Sequence, residues 1–321
     1  MKAQILHRPG VLTLEEVSRP SCGSSEVLIK LKTSCICNGS DPAILAGTHW
    51  DTFPIVFGHE ACGTIVECGS EVTGFQEGDR VAWWFTVGAF AEYVCVSPDR
   101  VAMVKLPKSI SDDEGPLFEL AGAAIRAVEA AQIKPGDKVL IVGLGPSGVI
   151  MSQLAKNHGA ATVIGWDLYA MRRELGLRLG CDGVFDNAAN SVRSEVLTRY
   201  GEVDIVIDAY ADDLLPGSPT LNDAISVLRQ GGTVISYGHP QKGRMIDNYY
   251  FQKKQITMRG PVNEIELVRE YLQKAVRYAE QGKLNLAALI SGRVKLERVA
   301  EGLELVMTKP DQYMKILVDI Q

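Results

Sequence analysis

The segment from residue 138 to residue 158 constrains the fold more than any other part of the chain. Lys138–Val142 reads KVLIV, a continuous apolar run typical of a strand that is buried on both faces. Residues 143–148 then read GLGPSG, and residues 147–158 have the pattern of a helix that stops at Gly159. A Gly-x-Gly-x-x-Gly turn placed between a buried strand and a helix predicts a dinucleotide-binding unit.

Each residue of this turn has its own expected role. Gly143 permits the tight turn, Gly145 lets the backbone approach a pyrophosphate, and Gly148 allows close packing of the helix on the strand. Pro146 and Ser147 open the helix, whose exposed N–H groups and dipole attract phosphates. The alternative is a plain strand–turn–helix connection that holds no ligand.

The choice of dinucleotide depends on Asp167, which ends the next predicted strand. A carboxylate at this place accepts hydrogen bonds from the adenosine ribose diol and repels a 2′-phosphate, so it predicts NAD over NADP. Arg172 and Arg173 act in the opposite direction, because guanidinium groups favour a phosphate. Arg172 is counted with the cofactor-binding candidates, although both arginines also suit a solvated helix face.

Strands and helices alternate around this unit, which predicts an α/β fold with a doubly wound parallel sheet over residues 123–261. The first ~120 residues read instead as short strands between turns, with one of them at residues 88–94. A strong amphipathic helix over residues 264–281 precedes a strand, a helix and a strand. A mostly β domain formed by residues 1–122 and 262–321 is therefore expected, with the sheet domain inserted into it.

Composition excludes several classes of protein. The 321 residues carry a net charge of −6 without a basic cluster, which argues against nucleic acid and against an anionic membrane surface. No apolar run reaches the ~20 residues of a membrane span, and the start lacks a secretory signal, so a cytoplasmic protein is expected. The seven cysteines are scattered and odd in number, so a disulfide framework is not expected and most should be small buried apolar residues.

Three side chains of different chemistry are candidates for one metal site. Cys37 lies just past a predicted strand, His59 follows a turn, and Glu119 stands at the start of an alanine-rich helix. A thiolate, an imidazole and a carboxylate leave one position open on zinc, as catalytic sites do. Spacing alone does not decide between this site and ordinary core or surface residues.

Longer motifs resemble one known family. Residues 58–69 (GHEACGTIVECG), 78–81 (GDRV), 135–137 (PGD) before the glycine turn and 228–232 (LRQGG) are similar to signatures of the zinc-dependent medium-chain dehydrogenases/reductases. The similarity runs nearly from end to end. It implies a GroES-like catalytic domain around a Rossmann domain, with a homodimer or homotetramer as the usual assembly.

The resemblance also implies roles for individual residues. Cys37, His59 and Glu119 would bind the catalytic zinc, with Glu119 at the place where polyol and sugar dehydrogenases carry a glutamate. Glu60 would bind the metal in exchange as substrate enters and leaves. The sequence therefore leaves open whether Glu60 or Glu119 is the zinc ligand in the resting state. Ser40 would accept the alcohol proton and His49 would carry it on, although His49 equally suits an exposed loop. Asp41 either orients the imidazole of His59 or is an ordinary turn aspartate.

Two departures from the family pattern matter. The lobe with four closely spaced cysteines is missing after Val81, which predicts one zinc per chain and no structural zinc. Trp83, Trp84 and Phe85 occupy the short connection instead. The second departure is the sequence CNGSD at residues 37–41, one residue longer than the family's pattern, which a bulge at residues 38–39 would absorb. Cys35 remains a rival of Cys37 as metal ligand.

The motifs and the resemblance together predict a zinc-dependent oxidoreductase that transfers hydride between NAD and a secondary alcohol. The resemblance alone implies that this alcohol is a polyol, a cyclitol or a sugar. The metal acts as a Lewis acid in such a reaction. Two alternatives remain: a zinc-free NADPH quinone or enone reductase of the same fold, and a nucleotide-binding homologue without turnover. His239, which follows a predicted sheet strand, is expected to be a loop histidine.

Overall fold

The computed structural model describes residues 1–84, 86–210, 221–238 and 246–320. Phe85 and His239 lie outside the described residues. The chain divides into two compact units, one formed by Met1–Ala123 with Glu264–Gln321 and the other by Ala124–Asn263. No helix in the described ranges is long and apolar enough to cross a membrane.

The first unit is mostly β-structure, as predicted. Within its described residues one sheet has the order β2-β1-β4, and a larger one has the order β15-β16-β3-β5-β6-β8 with β7 paired to β3. The strands are β1 Lys2–Arg8, β2 Val11–Glu16, β3 Val27–Cys35, β4 Ile55–Val56, β5 Glu60–Cys68, β6 Arg80–Trp84, β7 Tyr93–Val96, β8 Ala102–Lys105, β15 Ile290–Lys295 and β16 Lys315–Asp319. Alternating apolar residues of β3, β5 and β6 fill the core between these sheets and the helices that cover them.

The helices of the first unit lie before and after the inserted segment, and their bounds are α1 Ser40–Leu45, α8 Ile265–Glu280 and α9 Val299–Thr308, with α2 Leu117–Ala131 at the boundary. The predicted helix at 264–281 and the terminal strand–helix–strand are confirmed. The strand predicted at residues 88–94 is wrong, because β7 begins only at Tyr93. Trp83 and Trp84 are buried on β6.

The second unit is a parallel sheet with helices between its strands. Its strand order is β11-β10-β9-β12-β13-β14, the order 3-2-1-4-5-6 of a doubly wound nucleotide-binding sheet. The strands are β9 Lys138–Val142, β10 Thr162–Asp167, β11 Gly183–Asp186, β12 Val203–Asp208, β13 Leu228–Ser236 and β14 Thr257–Arg259. The helices are α3 Pro146–Asn157, α4 Ala170–Leu179, α5 Val192–Tyr200, α6 Leu221–Ser226 and α7 Asn248–Lys254. The predicted sheet is confirmed, and its order reverses between β9 and β12, next to the glycine turn.

The expectation about cysteines needs a correction, because Cys22 and Cys95 form a disulfide. An odd number of cysteines says nothing about any one pair, and residues 73 apart in sequence meet when strands pair. Here β7 lies beside β3, with Cys95 opposite Leu28, which brings the two cysteine Cα atoms to 5.8 Å. The other five cysteines are free. Only Cys35, Cys62 and Cys181 of the seven are buried, so the expectation that most cysteines are buried is wrong.

Candidate active site

Strand pairing assembles a group of three potential metal ligands. Cys37 follows β3, whereas His59 precedes β5 and Glu60 begins it. Because β3 and β5 are antiparallel and Cys35 pairs with Glu60, the two segments meet at the same end of the sheet. The ligand atoms of Cys37, His59 and Glu60 all lie within 4.8 Å of one another. A thiolate, an imidazole and a carboxylate at this spacing match the ligand preferences of zinc.

Asp41 holds both Cys37 and His59 in place. Its side chain is fully buried in the first turn of α1. Its Oδ2 accepts a hydrogen bond from the Cys37 backbone N–H at 2.8 Å, and its Oδ1 lies 3.0 Å from His59 Nδ1. The second contact is an electrostatic one, since its angle falls outside hydrogen-bond geometry. With Nδ1 facing Asp41, we assign Nε2 of His59 to the metal.

Charge around His59 favours its protonated form when no metal is bound. Burial disfavours the imidazolium, but Asp41 and Cys37 outweigh it and raise the pKa of His59 well above its ordinary value. A cation therefore fits this place, and a metal ion would replace the proton there.

Lys315 of β16 fixes the third candidate ligand. Its Nζ donates to Glu60 Oε2 at 2.6 Å and to the Ile36 carbonyl at 2.6 Å. Burial lowers the pKa of Lys315, yet the Cys35, Glu60 and Cys37 groups beside it raise the pKa above its ordinary value. The second carboxylate oxygen, Glu60 Oε1, is buried without a hydrogen-bond partner among the described residues. A buried anionic oxygen needs such a partner, and a metal beside Cys37 and His59 would supply one.

The rival ligands stand outside this group. The Cys35 thiol is fully buried and donates to the Ile316 carbonyl at 3.4 Å, and burial raises its pKa well above the ordinary value. Glu119 is buried in the first turn of α2 and is not a member of the three-residue group. The geometry therefore supports Cys37 over Cys35, and Glu60 over Glu119, as ligands in the arrangement described.

The two candidates for the proton relay, Ser40 and His49, differ in their distance from the ligand group along the chain and in their exposure. Ser40 begins α1, and its backbone N–H lies 3.5 Å from Cys37 Sγ. His49 is exposed in the segment after that helix.

Asn38 and Gly39 form a turn with no paired strand opposite them, so the expected bulge is wrong. The extra residue is absorbed there because β3 has already ended at Cys35, which leaves the turn free to lead into α1.

The glycine turn of the second unit has the features of a phosphate loop. Gly143 has φ +92°, and a Cβ there would lie 3.0 Å from the Ala209 carbonyl. A Cβ on Gly148 would lie 1.9 Å from the Gly143 carbonyl, which enforces close packing of α3. Gly145 precedes α3 with Pro146 at its first position, and Ser147 Oγ is 3.1 Å from Tyr237 Oη. The N-terminus of α3 thus presents backbone N–H groups of the kind that bind phosphate.

Asp167 lies beside this turn, at the end of β10. Its Oδ2 accepts from Leu144 N and its Oδ1 from Tyr169 N, both at 2.8 Å. Burial raises the pKa of Asp167, while Arg172 and these N–H groups oppose the rise. One lone pair of each oxygen remains for another donor. Arg172 Nη1 is 3.9 Å from Asp167 Oδ2, and its guanidinium lies 4.7 Å from the centre of the Tyr169 ring.

Sequence reasoning missed Lys315 and Tyr237. Lys315 had a signal, because it stands in the apolar run Met314, Ile316, Leu317 and Val318 of a terminal strand. A lysine in such a run is seldom fully buried unless an acid pairs with it. Tyr237 follows β13 and offered no pattern that distinguishes it from other tyrosines.

Fold and site together define a two-domain, nucleotide-binding dehydrogenase with a side-chain set suited to zinc. Two family models match: the alcohol dehydrogenase GroES-like domain over residues 23–108, and the zinc-binding dehydrogenase domain over residues 146–277. The chain belongs to the zinc-type medium-chain dehydrogenases/reductases, a family of alcohol oxidoreductases.

Individual relatives agree with this assignment. The chain is 28% identical to L-threonine 3-dehydrogenase of Rhizobium etli, covering 95% of this chain and 94% of that one. It is 26% identical to sorbitol dehydrogenase of Bacillus subtilis, with 99% and 97% covered. A solved structure described as a zinc-binding dehydrogenase from Sinorhizobium meliloti, bound to NADP, superposes with a TM-score of 0.86 at 24% identity, over 99% of each chain. At 24% identity, the similarity to this solved structure establishes the fold alone.

Proposed function

We propose that this chain is an NAD-linked, zinc-dependent dehydrogenase that oxidises a secondary hydroxyl group of a polyol, cyclitol or sugar and catalyses the reverse reduction. The group formed by Cys37, His59 and Glu60 carries the proposal. Glu60 Oε1 is buried with no hydrogen-bond partner in the described part of the chain, and an anionic oxygen beside a thiol and an imidazole suits a bound cation. The related sorbitol dehydrogenase supports the substrate class, and the threonine dehydrogenase adds an amino acid with a secondary hydroxyl.

The residues around the metal group have defined tasks in this proposal. Bound zinc supplies Lewis acidity that favours loss of the alcohol proton near neutral pH. Cys37, His59 and Glu60 hold the ion, Asp41 orients the first two, and Lys315 holds Glu60. Ser40 accepts the proton of the alcohol, since its place at the start of α1 is adjacent to Cys37. His49 is exposed and passes that proton to water.

The second unit binds the cofactor in this proposal. Gly143, Gly145 and the N-terminus of α3 hold the pyrophosphate, with Pro146, Ser147 and Gly148 completing the turn. Asp167 retains acceptor capacity for a ribose hydroxyl, which supports NAD although one structural relative binds NADP. Arg172 packs on Tyr169 and borders the same carboxylate, so it belongs to the adenosine end of the site.

Metal analysis and an activity screen test the proposal together. Purified protein should contain about one zinc per chain, as one three-ligand site requires. NAD reduction should then be followed at neutral pH with polyols, cyclitols, aldoses, L-threonine and simple secondary alcohols, with and without a chelator. Zinc-free protein that reduces quinones or enones with NADPH would establish the first alternative instead.

Bound zinc with no turnover over the whole panel would favour a non-catalytic nucleotide-binding protein.

The proposal also includes a cytoplasmic location and a homodimer or homotetramer, both usual for the family. Light scattering of the purified protein measures the assembly state. A monomer would contradict that part of the proposal while leaving the chemistry intact.

A further inference from the structure

The disulfide between Cys22 and Cys95 joins the segment before β3 to the strand that pairs with β3. Both residues are half-buried, so the disulfide lies near the surface of the unit and not in its core. Leu28 lies opposite Cys95 in the strand pair, six residues beyond Cys22. The bond therefore links the segment that leads into β3 to the neighbouring strand β7.

The remaining cysteines are less available for chemistry with dissolved reagents. Burial raises the pKa of Cys62 and of Cys181 to about 12, and Cys35 is fully buried. Cys37 belongs to the metal-ligand group, and burial together with nearby carboxylates raises the pKa of the half-buried Cys68. A thiol reacts through its thiolate, so Cys62, Cys68 and Cys181 react slowly.

Contacts other than the disulfide keep the two cysteines close. The backbone N–H of Gly69 donates to the Glu26 carbonyl at 2.9 Å, and that of Glu71 donates to the Ser24 carbonyl at 2.8 Å. The Arg19 guanidinium lies 4.6 Å from the centre of the Tyr93 ring, two residues before Cys95. Reduction would therefore leave the segment docked and the two thiols positioned to react again.

We propose that Cys22 and Cys95 form a reversible thiol–disulfide pair, a redox-sensitive crosslink separate from the dehydrogenase site. A small-molecule thiolate attacks one sulfur, the S–S bond breaks, and the other cysteine leaves as a thiolate that takes a proton from water. A second thiolate attacks the added sulfur, which releases the remaining cysteine and a small-molecule disulfide. Two electrons pass from two thiols to the protein, and the reverse sequence restores the crosslink.

Glu26 controls the rate of this exchange. Its Oε2 lies 3.3 Å from Cys95 Sγ, and it also accepts the backbone N–H of Gly23 at 2.9 Å. A carboxylate at this distance repels an arriving thiolate and disfavours a thiolate leaving from Cys95. Thiols that carry extra negative charge should therefore reduce the bond more slowly than thiols that carry a positive charge.

Counting alkylated cysteines tests the crosslink directly in the full-length wild-type protein. After equilibration in glutathione buffers and denaturing alkylation, mass spectrometry should show five modified cysteines under oxidising conditions, the free ones, and seven under reducing conditions. Peptide mapping should assign the difference to Cys22 and Cys95. The change should span about two decades in the ratio of squared glutathione to its disulfide, as a two-electron couple requires. Seven modified cysteines in every buffer would overturn the proposal.

Charge dependence tests the part assigned to Glu26. Reduction by glutathione, which is anionic, should accelerate several-fold more in Glu26→Gln than reduction by cysteamine, whose ammonium group the Glu26 carboxylate attracts. Glu77→Gln, which removes a carboxylate near Cys68, is the matched control and should leave both rates as in the wild type. Equal acceleration with both thiols in Glu26→Gln would overturn the repulsion of arriving thiolates, because a leaving-group effect or a loosened turn acts on both reagents alike.

The alternative to a reversible disulfide is a second metal site formed by the reduced cysteines. Cys22, Glu26 and Cys95 each place one ligand atom within 4.8 Å of the others. Reduced wild-type protein should hold the same amount of zinc as Cys22→Ser. An additional equivalent in the reduced wild type that is lost in Cys22→Ser would replace the disulfide proposal by a metal site. The zinc of the catalytic group provides the internal reference in both samples.

Discussion

Lys315 Nζ lies 2.6 Å from Glu60 Oε2, and both side chains are withdrawn from solvent. Glu60 begins β5 and Lys315 begins β16, two strands that both pair with β3. Because β3 lies between these two strands, Lys315 reaches Glu60, a candidate metal ligand, from the other side of β3 and holds it in place. A buried ion pair of this kind adds little net stability, but the loss of one partner leaves an uncompensated charge.

Replacing Lys315 by Met should lower the free energy of unfolding of zinc-free protein by about 3–5 kcal/mol, because the Glu60 carboxylate then stays buried without its cation. Urea unfolding in the presence of a chelator measures this. The double variant Lys315→Met/Glu60→Gln is the control and should recover a large part of the loss. Additive losses in the double variant would show that the two side chains do not depend on each other.

Cys37→Ser should reduce the zinc content of purified protein from about one equivalent per chain to a small fraction of it, because a thiolate ligand is lost. Cys35→Ser is the matched control, two residues away on the same segment, and should retain the metal. Elemental analysis after dialysis measures both. Zinc lost from Cys35→Ser and kept in Cys37→Ser would reverse the assignment.

Glu60→Gln should weaken zinc binding about 10–100-fold, since an amide is a poorer ligand than a carboxylate for the ion held by Cys37 and His59. Glu119→Gln should leave the affinity close to that of the wild type if Glu60 is the ligand at rest. Competition with a chromophoric chelator measures both constants. The opposite order would restore Glu119 to the ligand set that the family resemblance implies.

Asp167→Ala should raise the KM for NAD roughly 10–100-fold, the effect of about 1.5–3 kcal/mol for a hydrogen bond to a charged group. The KM for NADP should change less, because the carboxylate no longer repels a 2′-phosphate. Asp186→Asn at the end of the neighbouring β11 is the control and should preserve the preference. Steady-state kinetics with both cofactors decide the matter, and an unchanged NAD/NADP ratio would count against the role of Asp167.

Stability should fall at alkaline pH through the buried thiols. The pKa of Cys181 rises from 9.0 to about 12 because burial disfavours its thiolate. Above pH 9 the unfolded chain releases this proton while the folded chain keeps it. The contribution of the Cys181 thiol to the free energy of unfolding is therefore full below pH 9 and is lost as pH rises towards 12. The loss is about 1.4 kcal/mol per pH unit. Cys181→Ala should make the decline shallower by about that slope in urea unfolding at pH 9–11, whereas equal slopes would contradict the shift.

The sequence predicted the parallel sheet of the second unit well, because its information is local. A buried run, a glycine turn and a helix start occur within about 20 residues around Gly143, and the terminal Asp167 follows the next strand. Helix bounds came within a few residues for the same reason. The amphipathic pattern of α8 also needs no knowledge of distant residues.

Contacts between distant residues were not predictable in the same way. The Lys315–Glu60 pair joins residues 255 apart, and the Cys22–Cys95 disulfide joins residues 73 apart. Neither spacing carries a signature, since the order of strands in the larger sheet decides which residues meet. Glu119 stands in the first turn of α2 as predicted, but no local pattern specifies where that turn lies relative to the group of Cys37, His59 and Glu60.

The insertion of the second unit between β8 and α8 affects the order in which the chain is made. At ~5–20 residues per second, a ribosome needs about 10–50 s to pass from Glu60 to Lys315, which lie 255 residues apart. All strands of the nucleotide-binding sheet, β9 to β14, are made within that interval, before β16 of the first unit exists. During synthesis the carboxylate of Glu60 must therefore remain hydrated or be attended by a chaperone until its lysine arrives.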